Sequence, residues 1–126
     1  MNITQQQSLK KYNTFGIEAF ATEFCEVNSQ AELAVVLKEN QQKKLFILGG
    51  GSNMLLTQNI DALVLHINNK GIEVIEENND FVWVKGNAGE VWHEFVQFCI
   101  KNNYGGIENL SLIPGNVGAT PIQNIG

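Results

Sequence analysis

Positive charge is scarce in this sequence of 126 residues, which holds eight Lys and Arg residues against thirteen Asp and Glu and carries a net charge of −5. Nucleic-acid backbones are bound mainly by clustered Lys and Arg side chains, and no basic stripe runs along this chain. The sequence therefore predicts that nucleic acid is not a partner.

Long apolar runs are also missing. The longest, such as residues 45–48 and 62–65, fall far short of the roughly 18 to 20 apolar residues that cross a bilayer. The opening stretch, MNITQQQSLKKY, is polar and lacks the apolar segment of a secretory signal. We therefore expect no membrane partner and a cytoplasmic location.

Cysteine is rare as well. Cys25 and Cys99 lie far apart, and neither has a second Cys or a His at the short spacing of a metal site or a redox pair. In reducing compartments a free Cys packs as a small apolar residue. We expect two buried, reduced thiols and no metal centre.

What the sequence does contain is enough apolar material for a packed core, since 44% of its residues are hydrophobic. Its length allows one domain, or two small lobes that share a core. Ser29 and Glu32 have the spacing of a capping box and predict a helix up to Asn40. The apolar face of this helix consists of Leu33, Val36 and Leu37.

Strand patterns lie on both sides of that helix. Residues 45–48 predict a buried strand, and residues 21–27 a weaker one that would complete a βαβ crossover. Residues 62–67 predict a further strand. Residues 72–85 are rich in β-branched and aromatic residues around an Asn-Asn-Asp link, which predicts a β-hairpin.

A second amphipathic helix is predicted over residues 90–103, with Gly105 and Gly106 where a glycine stop belongs. Residues 107–126 hold both prolines and several glycines, so they predict a loop. His93 falls on the polar face of the helix, which favours a solvated side chain over a catalytic one. His66 lies within an apolar strand, which favours a structural imidazole.

The glycine run at the end of the strand 45–48 is the most informative stretch. Consecutive glycines allow positive φ angles, and successive N–H groups can then point into one concavity and bind a phosphate without a positive side chain. The alternative is a tight structural turn between two strands, which an isolated run of three glycines favours over phosphate binding. The dinucleotide pattern GxGxxG fails at Met54, and the P-loop pattern is missing.

Residues 113–126 form a second cluster, in which glycines alternate with small or amide side chains. A flavin ring needs such a lining, because its edge atoms take hydrogen bonds and its flat face needs small neighbours. Thr120, Gln123 and Asn124 could supply side-chain partners. The alternative is a long structural loop, but loops of this length within compact domains are usually functional.

Four motifs together resemble the UDP-N-acetylenolpyruvoylglucosamine reductases. They are NTFGI at 13–17, LGGGSNMLLT at 48–57, GNAGEVWHEFV at 86–96 and GGIENLSLIPGNVGATPIQNIG at 105–126. The motifs follow the order of that family and cover nearly the whole chain. The last of them is long enough to be specific.

The resemblance implies an α/β (α+β) FAD-binding fold of the vanillyl-alcohol-oxidase (PCMH) type, with FAD between two small lobes of about residues 1–68 and 69–126. Carried over by motif, the pyrophosphate cradle would be residues 49–53. The implied cofactor-binding residues are Thr14, Phe15, Gly49, Gly50, Gly51, Ser52, Asn53, Ala88, Gly89, Ile113, Pro114, Gly115, Val117, Gly118, Ala119, Thr120, Gln123, Asn124 and Gly126.

In that family, NADPH reduces FAD, and the reduced flavin reduces UDP-N-acetylglucosamine enolpyruvate to UDP-N-acetylmuramate for peptidoglycan synthesis and cell-wall biogenesis. The family's catalytic serine, arginine and glutamate lie downstream of the motif that ends at Gly126. We therefore expect an incomplete FAD-binding domain, without catalytic residues or a substrate-binding domain, that is inactive by itself.

Two alternatives stay open at this point. The chain could be a non-catalytic α/β fragment that associates with itself through surface that a longer protein would bury. It could also belong to another oxidoreductase of the same flavin fold. Bound flavin favours an enzyme domain, whereas assembly without flavin favours the first alternative.

Overall fold

Six strands form two separate sheets in the computed structural model, which describes residues 1–125. The first sheet contains β1 (Ile3–Ser8), β2 (Phe20–Val27), β3 (Leu45–Leu48) and β4 (Ile60–Ile67) in the order β1-β2-β4-β3. The second sheet is the hairpin of β5 (Ile72–Glu77) and β6 (Val82–Gly86). The α-helices are α1 (Gln30–Glu39), α2 (Trp92–Lys101) and the short α3 (Thr120–Gln123).

Parallel pairing of β2, β4 and β3 places their carboxyl ends at one edge of the first sheet. Helix α1 makes the crossover from β2 to β3, and β4 lies between these two strands. The predicted βαβ unit is therefore confirmed. The chain leaves β3 at Leu48 and enters the glycine run at this same edge.

Helix α1 begins where the sequence predicts. The Ser29 hydroxyl oxygen accepts a hydrogen bond from the Glu32 N–H at 3.1 Å, which satisfies one of the free donors of the first turn. The Glu32 carboxylate accepts from the Asn28 N–H at 2.7 Å rather than from the Ser29 N–H. The capping box is thus present in a form shifted by one residue.

Both faces of the first sheet are covered at its centre. On one face, Val36 of α1 packs with Cys25, Val27, Leu63 and Leu65. The other face packs against the segments that flank β1 and β4, through the cluster Leu9, Ala19, Ala21, Phe24, Leu48, Leu56 and Val64. Along β4 and the second half of β2, alternate residues enter different clusters, as the two-residue period of a strand requires. Ala21 joins the cluster of Phe24 because the pairing of β2 is irregular between Ala21 and Glu23.

Helix α2 packs against the β5–β6 hairpin. Its buried residues Trp92, Phe95, Val96 and Cys99 form the second core, and Ile72 and Val84 of the hairpin contact it. The predicted hairpin and the predicted helix are both confirmed.

One strand was not predicted, and two local predictions were wrong. Strand β1 was not expected, because its TQQQ sequence carries no apolar alternation and it owes its place to pairing with β2. Strand β3 was predicted to be buried, but it is an edge strand in which Leu45 and Ile47 are exposed and only Leu48 is fully buried. Residues 107–126 were expected to be loop, but they include α3 and the 3₁₀ turns Glu108–Leu110 and Val117–Ala119.

The expected glycine stop after α2 was also wrong. Asn103 takes the left-handed conformation there, with a φ of 58°, and Gly105 and Gly106 follow only later. The Tyr104 N–H then donates to the Cys99 carbonyl at 2.8 Å. Asparagine tolerates this conformation better than other residues with a Cβ, which is why it can replace glycine at a helix end.

No helix within residues 1–125 has the length and apolar character to span a membrane.

The first core makes a direct stability prediction. Replacing Leu65, whose side chain has no solvent exposure, with alanine should lower the free energy of unfolding by about 2–5 kcal/mol because it leaves a cavity. The matched control is Leu55→Ala, since Leu55 is 65% exposed and its loss should cost less than about 0.5 kcal/mol. Urea denaturation measures both values, and equal losses would contradict the assignment of the core.

Candidate functional site

A cleft of about 560 Å³ opens at the carboxyl edge of the parallel strands. Ligands of open α/β sheets bind outside this edge, in clefts of about 300 to 1,000 Å³. Its lining consists of Leu33, Leu37, Ile47, Gly49, Gly50, Gly51, Ser52, Asn53, Met54, Ile67, Ala88, Asn116, Gly118, Ala119, Ile122 and Gln123.

The glycine run forms one wall of the cleft, and Gly51 fixes its path. Gly51 has a φ of +66° and lies so close to residues 12–13 that an added Cβ would overlap the Tyr12 carbonyl oxygen. The Thr14 N–H donates to the Gly51 carbonyl at 3.1 Å. Gly49 differs, because a Cβ there would meet no atom within 4 Å. The run is therefore packed against residues 12–13 at Gly51 and open to the cleft at Gly49.

Hydrogen-bond donors of this wall are free. The N–H groups of residues 50–53 donate to no backbone carbonyl in the part of the chain that the structure describes. The lining contains no charged side chain, and the sequence contains no arginine at all. Successive free N–H groups make an anion site without a cation. This wall can therefore bind a phosphate despite the acidic character of the protein.

The opposite wall comes from residues 115–123 and from Ala88. The Gly118 N–H donates to the Ala88 carbonyl at 3.0 Å, and a Cβ on Gly118 would lie only 2.7 Å from the Ala88 Cβ. A Cβ on Gly115 would lie 2.8 Å from the Gln123 Nε2 and 3.2 Å from the Ser52 Oγ. The two glycine-rich segments predicted from the sequence thus meet across the cleft.

One end of the cleft is apolar, and sequence reasoning missed it. Leu33 and Leu37 of α1, Ile47 of β3 and Ile67 of β4 line this end. The sequence predicted Leu33 and Leu37 as part of the apolar face of α1, and Leu33 does pack against the core. Leu37, however, is 39% and Ile47 is 58% exposed. Only the pairing order of the strands brings these residues to one surface. Met54, Asn116 and Ile122 line the cleft as well, and none was predicted as a site residue.

Nine of the predicted cofactor-binding residues line the cleft. They are Gly49, Gly50, Gly51, Ser52, Asn53, Ala88, Gly118, Ala119 and Gln123. Gly115 lies directly behind Ser52 and Gln123. The structure does not bring the others to the cleft wall, namely Thr14, Phe15, Gly89, Ile113, Pro114, Val117, Thr120 and Asn124. Gly126 lies outside the described residues.

Several residues of this second group have structural contacts instead. A Cβ on Gly89 would lie 2.6 Å from the backbone of Asn69, so glycine is needed there for close packing. Ile113 and Val117 pack against the core of α2. The Thr120 hydroxyl donates to the Val117 carbonyl at 2.9 Å. Phe15 is exposed, and so are Pro114 and Asn124.

His66 is a structural imidazole, as the sequence favoured. Its Nδ1 lies 3.4 Å from the Glu26 carboxylate, and its ring packs edge-on against Tyr12 and stacks on Phe24. Burial lowers the pKa of His66, although the hydrogen bond and charge of Glu26 oppose this shift and Lys70 adds to it. Tyr12 thus contacts both His66 and the back of Gly51.

His93 has a hydrogen-bond partner that the sequence did not predict. It is half-buried, and its Nδ1 accepts a hydrogen bond from the Leu112 N–H at 3.0 Å. Leu112 has a φ of 64°, a left-handed conformation that costs a residue with a side chain about 1–3 kcal/mol. His93 therefore forms a hydrogen bond with a residue of the loop whose backbone is strained.

The two thiols are buried and unpaired, in agreement with the sequence. Burial raises the pKa of Cys25 and of Cys99, so both stay protonated near neutral pH. Within residues 1–125 there is no group of three or more His, Cys, Asp or Glu side chains that could hold a metal ion.

Comparison with known proteins identifies the class. The family model described as FAD binding domain matches residues 22–126, and the chain belongs to this family. UDP-N-acetylenolpyruvoylglucosamine reductase of Flavobacterium johnsoniae is 64% identical over the whole chain, which covers 37% of that relative. The reductase of the same name from Pseudomonas putida is 48% identical over 97% of the chain, again covering 37% of the relative.

Solved structures agree on the fold. The crystal structure of UDP-N-acetylenolpyruvylglucosamine reductase from Thermus caldophilus superimposes with a TM-score of 0.65 at 24% identity, over 94% of this chain and 40% of that one. The predicted PCMH-type FAD-binding fold is thereby confirmed. This chain spans little more than a third of the length of the curated relatives it matches.

The residues of the cleft fit FAD. The free N–H groups of residues 50–53 suit a pyrophosphate, and the open face of Gly49 leaves room for close approach. Ala88, Gly118 and Ala119 offer small neighbours to a flat ring, and the Gln123 amide can donate or accept. The apolar end suits the less polar parts of a large cofactor.

Two glycines of the run should respond differently to the same substitution. Gly51→Ala should lower the free energy of unfolding by about 2 kcal/mol or more, because alanine resists positive φ and its Cβ overlaps residues 12–13. Gly49→Ala should change it by less than about 1 kcal/mol, since its Cβ enters open space. Thermal or urea unfolding compares them, and similar losses would refute the proposed path of the run.

His66 should make stability depend on pH. Because its folded pKa is lowered, the unfolded chain binds a proton more readily, so stability should fall as pH drops below the ordinary value of 6.5. His66→Gln removes this titration, and unfolding measured from about pH 7 to about pH 5 should then vary less with pH than in the native chain. Equal pH dependence in both proteins would contradict the burial of the neutral imidazole.

Proposed function

We propose that the cleft binds FAD and that the chain supplies the FAD-binding part of a UDP-N-acetylenolpyruvoylglucosamine reductase. One observation carries the proposal: two glycine-rich segments from different parts of the chain form opposite walls of one uncharged cleft. The names of the relatives specify the reductase, and their identity to this chain supports that part.

The pyrophosphate of FAD would lie against residues 50–53. Their backbone N–H groups have no carbonyl partner among residues 1–125, and an anion supplies the acceptor that they lack. Gly51 keeps the run pressed against residues 12–13, so the donors are already oriented before binding. Such preorganisation reduces the entropy lost when the cofactor binds.

The flavin ring would lie toward the wall made by Ala88, Gly118 and Ala119. These residues have little or no side chain, so a flat ring can approach the backbone closely. The amides of Asn116 and Gln123 are available for the polar edge of the ring. The remaining residues carried over by resemblance stay part of this proposal as further cofactor-binding residues.

Bound FAD would supply hydride transfer, with NADPH as the donor and the enolpyruvyl sugar nucleotide as the acceptor. This chain would bind and orient the cofactor and exclude water from one side of it. We assign no catalytic residue to it. Peptidoglycan synthesis, the cytoplasmic location and the division into two lobes near residue 68 belong to the same proposal.

Self-association is a second candidate, because apolar side chains are exposed on the β5–β6 hairpin. Phe81 is 67% and Trp83 is 42% exposed, and their rings lie 6.1 Å apart. Exposed aromatic clusters of this kind favour association. Sedimentation velocity at increasing protein concentration, with and without FAD, separates assembly from cofactor binding.

The decisive experiment is a titration with FAD, followed by visible absorption and by quenching of flavin fluorescence. Gly49→Asp should weaken binding about tenfold or more, because it places a negative charge beside the proposed pyrophosphate. Gly49 is a better position than Gly50, where a Cβ would already lie 3.0 Å from the Asn116 side chain. Asp at 49 meets no such obstacle.

Gly49→Asn is the matched control, since it has the same shape without the charge. It should lose clearly less affinity than Gly49→Asp. Equal losses would assign the effect to bulk instead of charge and would argue against a phosphate at residues 50–53. Absence of flavin binding by the native chain would mean that this part of the protein does not hold FAD by itself.

A further inference from the structure

The loop that forms the second wall is fastened to the start of α2. Five hydrogen bonds attach it, and on the helix side they come from the backbone of residues 88–93 and from the side chains of Trp92 and His93. Two involve side chains: Trp92 Nε1–H donates to the Leu110 carbonyl at 2.8 Å, and His93 Nδ1 accepts from the Leu112 N–H at 3.0 Å. Three join backbone groups: the Trp92 N–H donates to the Gly115 carbonyl at 2.9 Å, the Val117 N–H to the Glu90 carbonyl at 2.8 Å and the Gly118 N–H to the Ala88 carbonyl at 3.0 Å.

Leu112 is the weak point of this loop. Its φ of 64° is left-handed, which a leucine rarely adopts, and its side chain is 78% exposed and so gains little from packing. Neither propensity nor burial explains why the chain takes this path. The hydrogen bond to His93 is the interaction that favours it.

We propose that His93 is a positioning residue of the FAD site and acts as a hydrogen-bond acceptor for the Leu112 N–H. A neutral imidazole has one acceptor nitrogen, so this role requires a proton on Nε2 and none on Nδ1. His93 itself does not line the cleft. It acts through the backbone of the loop.

The effect reaches the cleft over a short distance along the chain. Leu112 lies three residues before Gly115, which fits between Ser52 and Gln123 with no room for a Cβ. The next residue, Asn116, lines the cleft opposite Gly50. If residue 112 leaves its left-handed conformation, the chain direction changes just before these contacts. Gly115 then loses its tight fit between Ser52 and Gln123, and the affinity for the cofactor falls.

The role of His93 in flavin affinity rests on the proposed function, but its tautomer does not. Long-range ¹H–¹⁵N correlation spectra of the imidazole, recorded on the full 126-residue chain near pH 8, distinguish the two neutral tautomers. We expect the Nε2-protonated form, together with a Leu112 amide proton protected from exchange. An Nδ1-protonated ring, or a rapidly exchanging Leu112 amide, would overturn the proposal whether or not FAD binds.

Two substitutions test the acceptor itself. In His93→Asn the amide oxygen can occupy nearly the position of Nδ1, whereas His93→Phe keeps a ring but offers no acceptor. The Phe variant should bind FAD about five- to tenfold more weakly, as expected for one lost neutral hydrogen bond, and the Asn variant should recover most of that loss. Equal weakening in both variants would mean that the ring packs but does not position the loop.

Leu112→Gly supplies a second background for the same pair. Glycine adopts positive φ readily, so the loop should depend less on His93 once this change is made. The loss caused by His93→Phe should therefore shrink to within about twofold in the Leu112→Gly chain. An undiminished loss would show that His93 acts through something other than the conformation of residue 112.

Discussion

The close packing of Gly51 against the backbone of Tyr12 and Asn13 is the constraint on which the site depends. No side chain fits in that contact, and the positive φ of Gly51 turns the chain so that the following N–H groups have no carbonyl partner among the described residues. The Thr14 N–H, bound to the Gly51 carbonyl, ties the same segment to the run. If residues with side chains followed the strand, the chain would continue the sheet or form a turn whose N–H groups bond to its own carbonyls. Its backbone would then offer no free N–H groups to an anion.

The second wall is fixed in a different way. Backbone and side-chain hydrogen bonds attach residues 110–118 to the first turn of α2, so the path of this segment depends on a helix that has its own apolar core. Each wall is fixed to a separate core, and the two walls meet where Gly50 lies against Asn116 and Gly115 lies against Ser52. An uncharged lining also explains how a protein with a net charge of −5 can bind an anion: oriented peptide dipoles are local and short-ranged, and the distant carboxylates are screened by solvent.

Local sequence patterns predicted most elements correctly, and the failures share a cause. Helix α1 and the β5–β6 hairpin have capping or turn residues of their own, so nearest neighbours decide them. Strand β1 has no such pattern and forms only because β2 offers an unpaired edge. The exposure of β3 follows from its position at the sheet edge, which no four-residue window encodes. The end of α2 at Asn103 shows that an amide residue can take the place where a glycine was expected.

The sequence by itself determined the family and the glycine run, because these depend on residues that are contiguous in the chain and distinctive in type. Tertiary structure alone decided that Leu33, Leu37 and Ile47 line a cleft, since strand order brings them to one surface. It also decided that His93 accepts a hydrogen bond from the Leu112 N–H. Both outcomes depend on contacts between segments that are distant in the chain, and hydrophobic periodicity carries no information about which segments will meet.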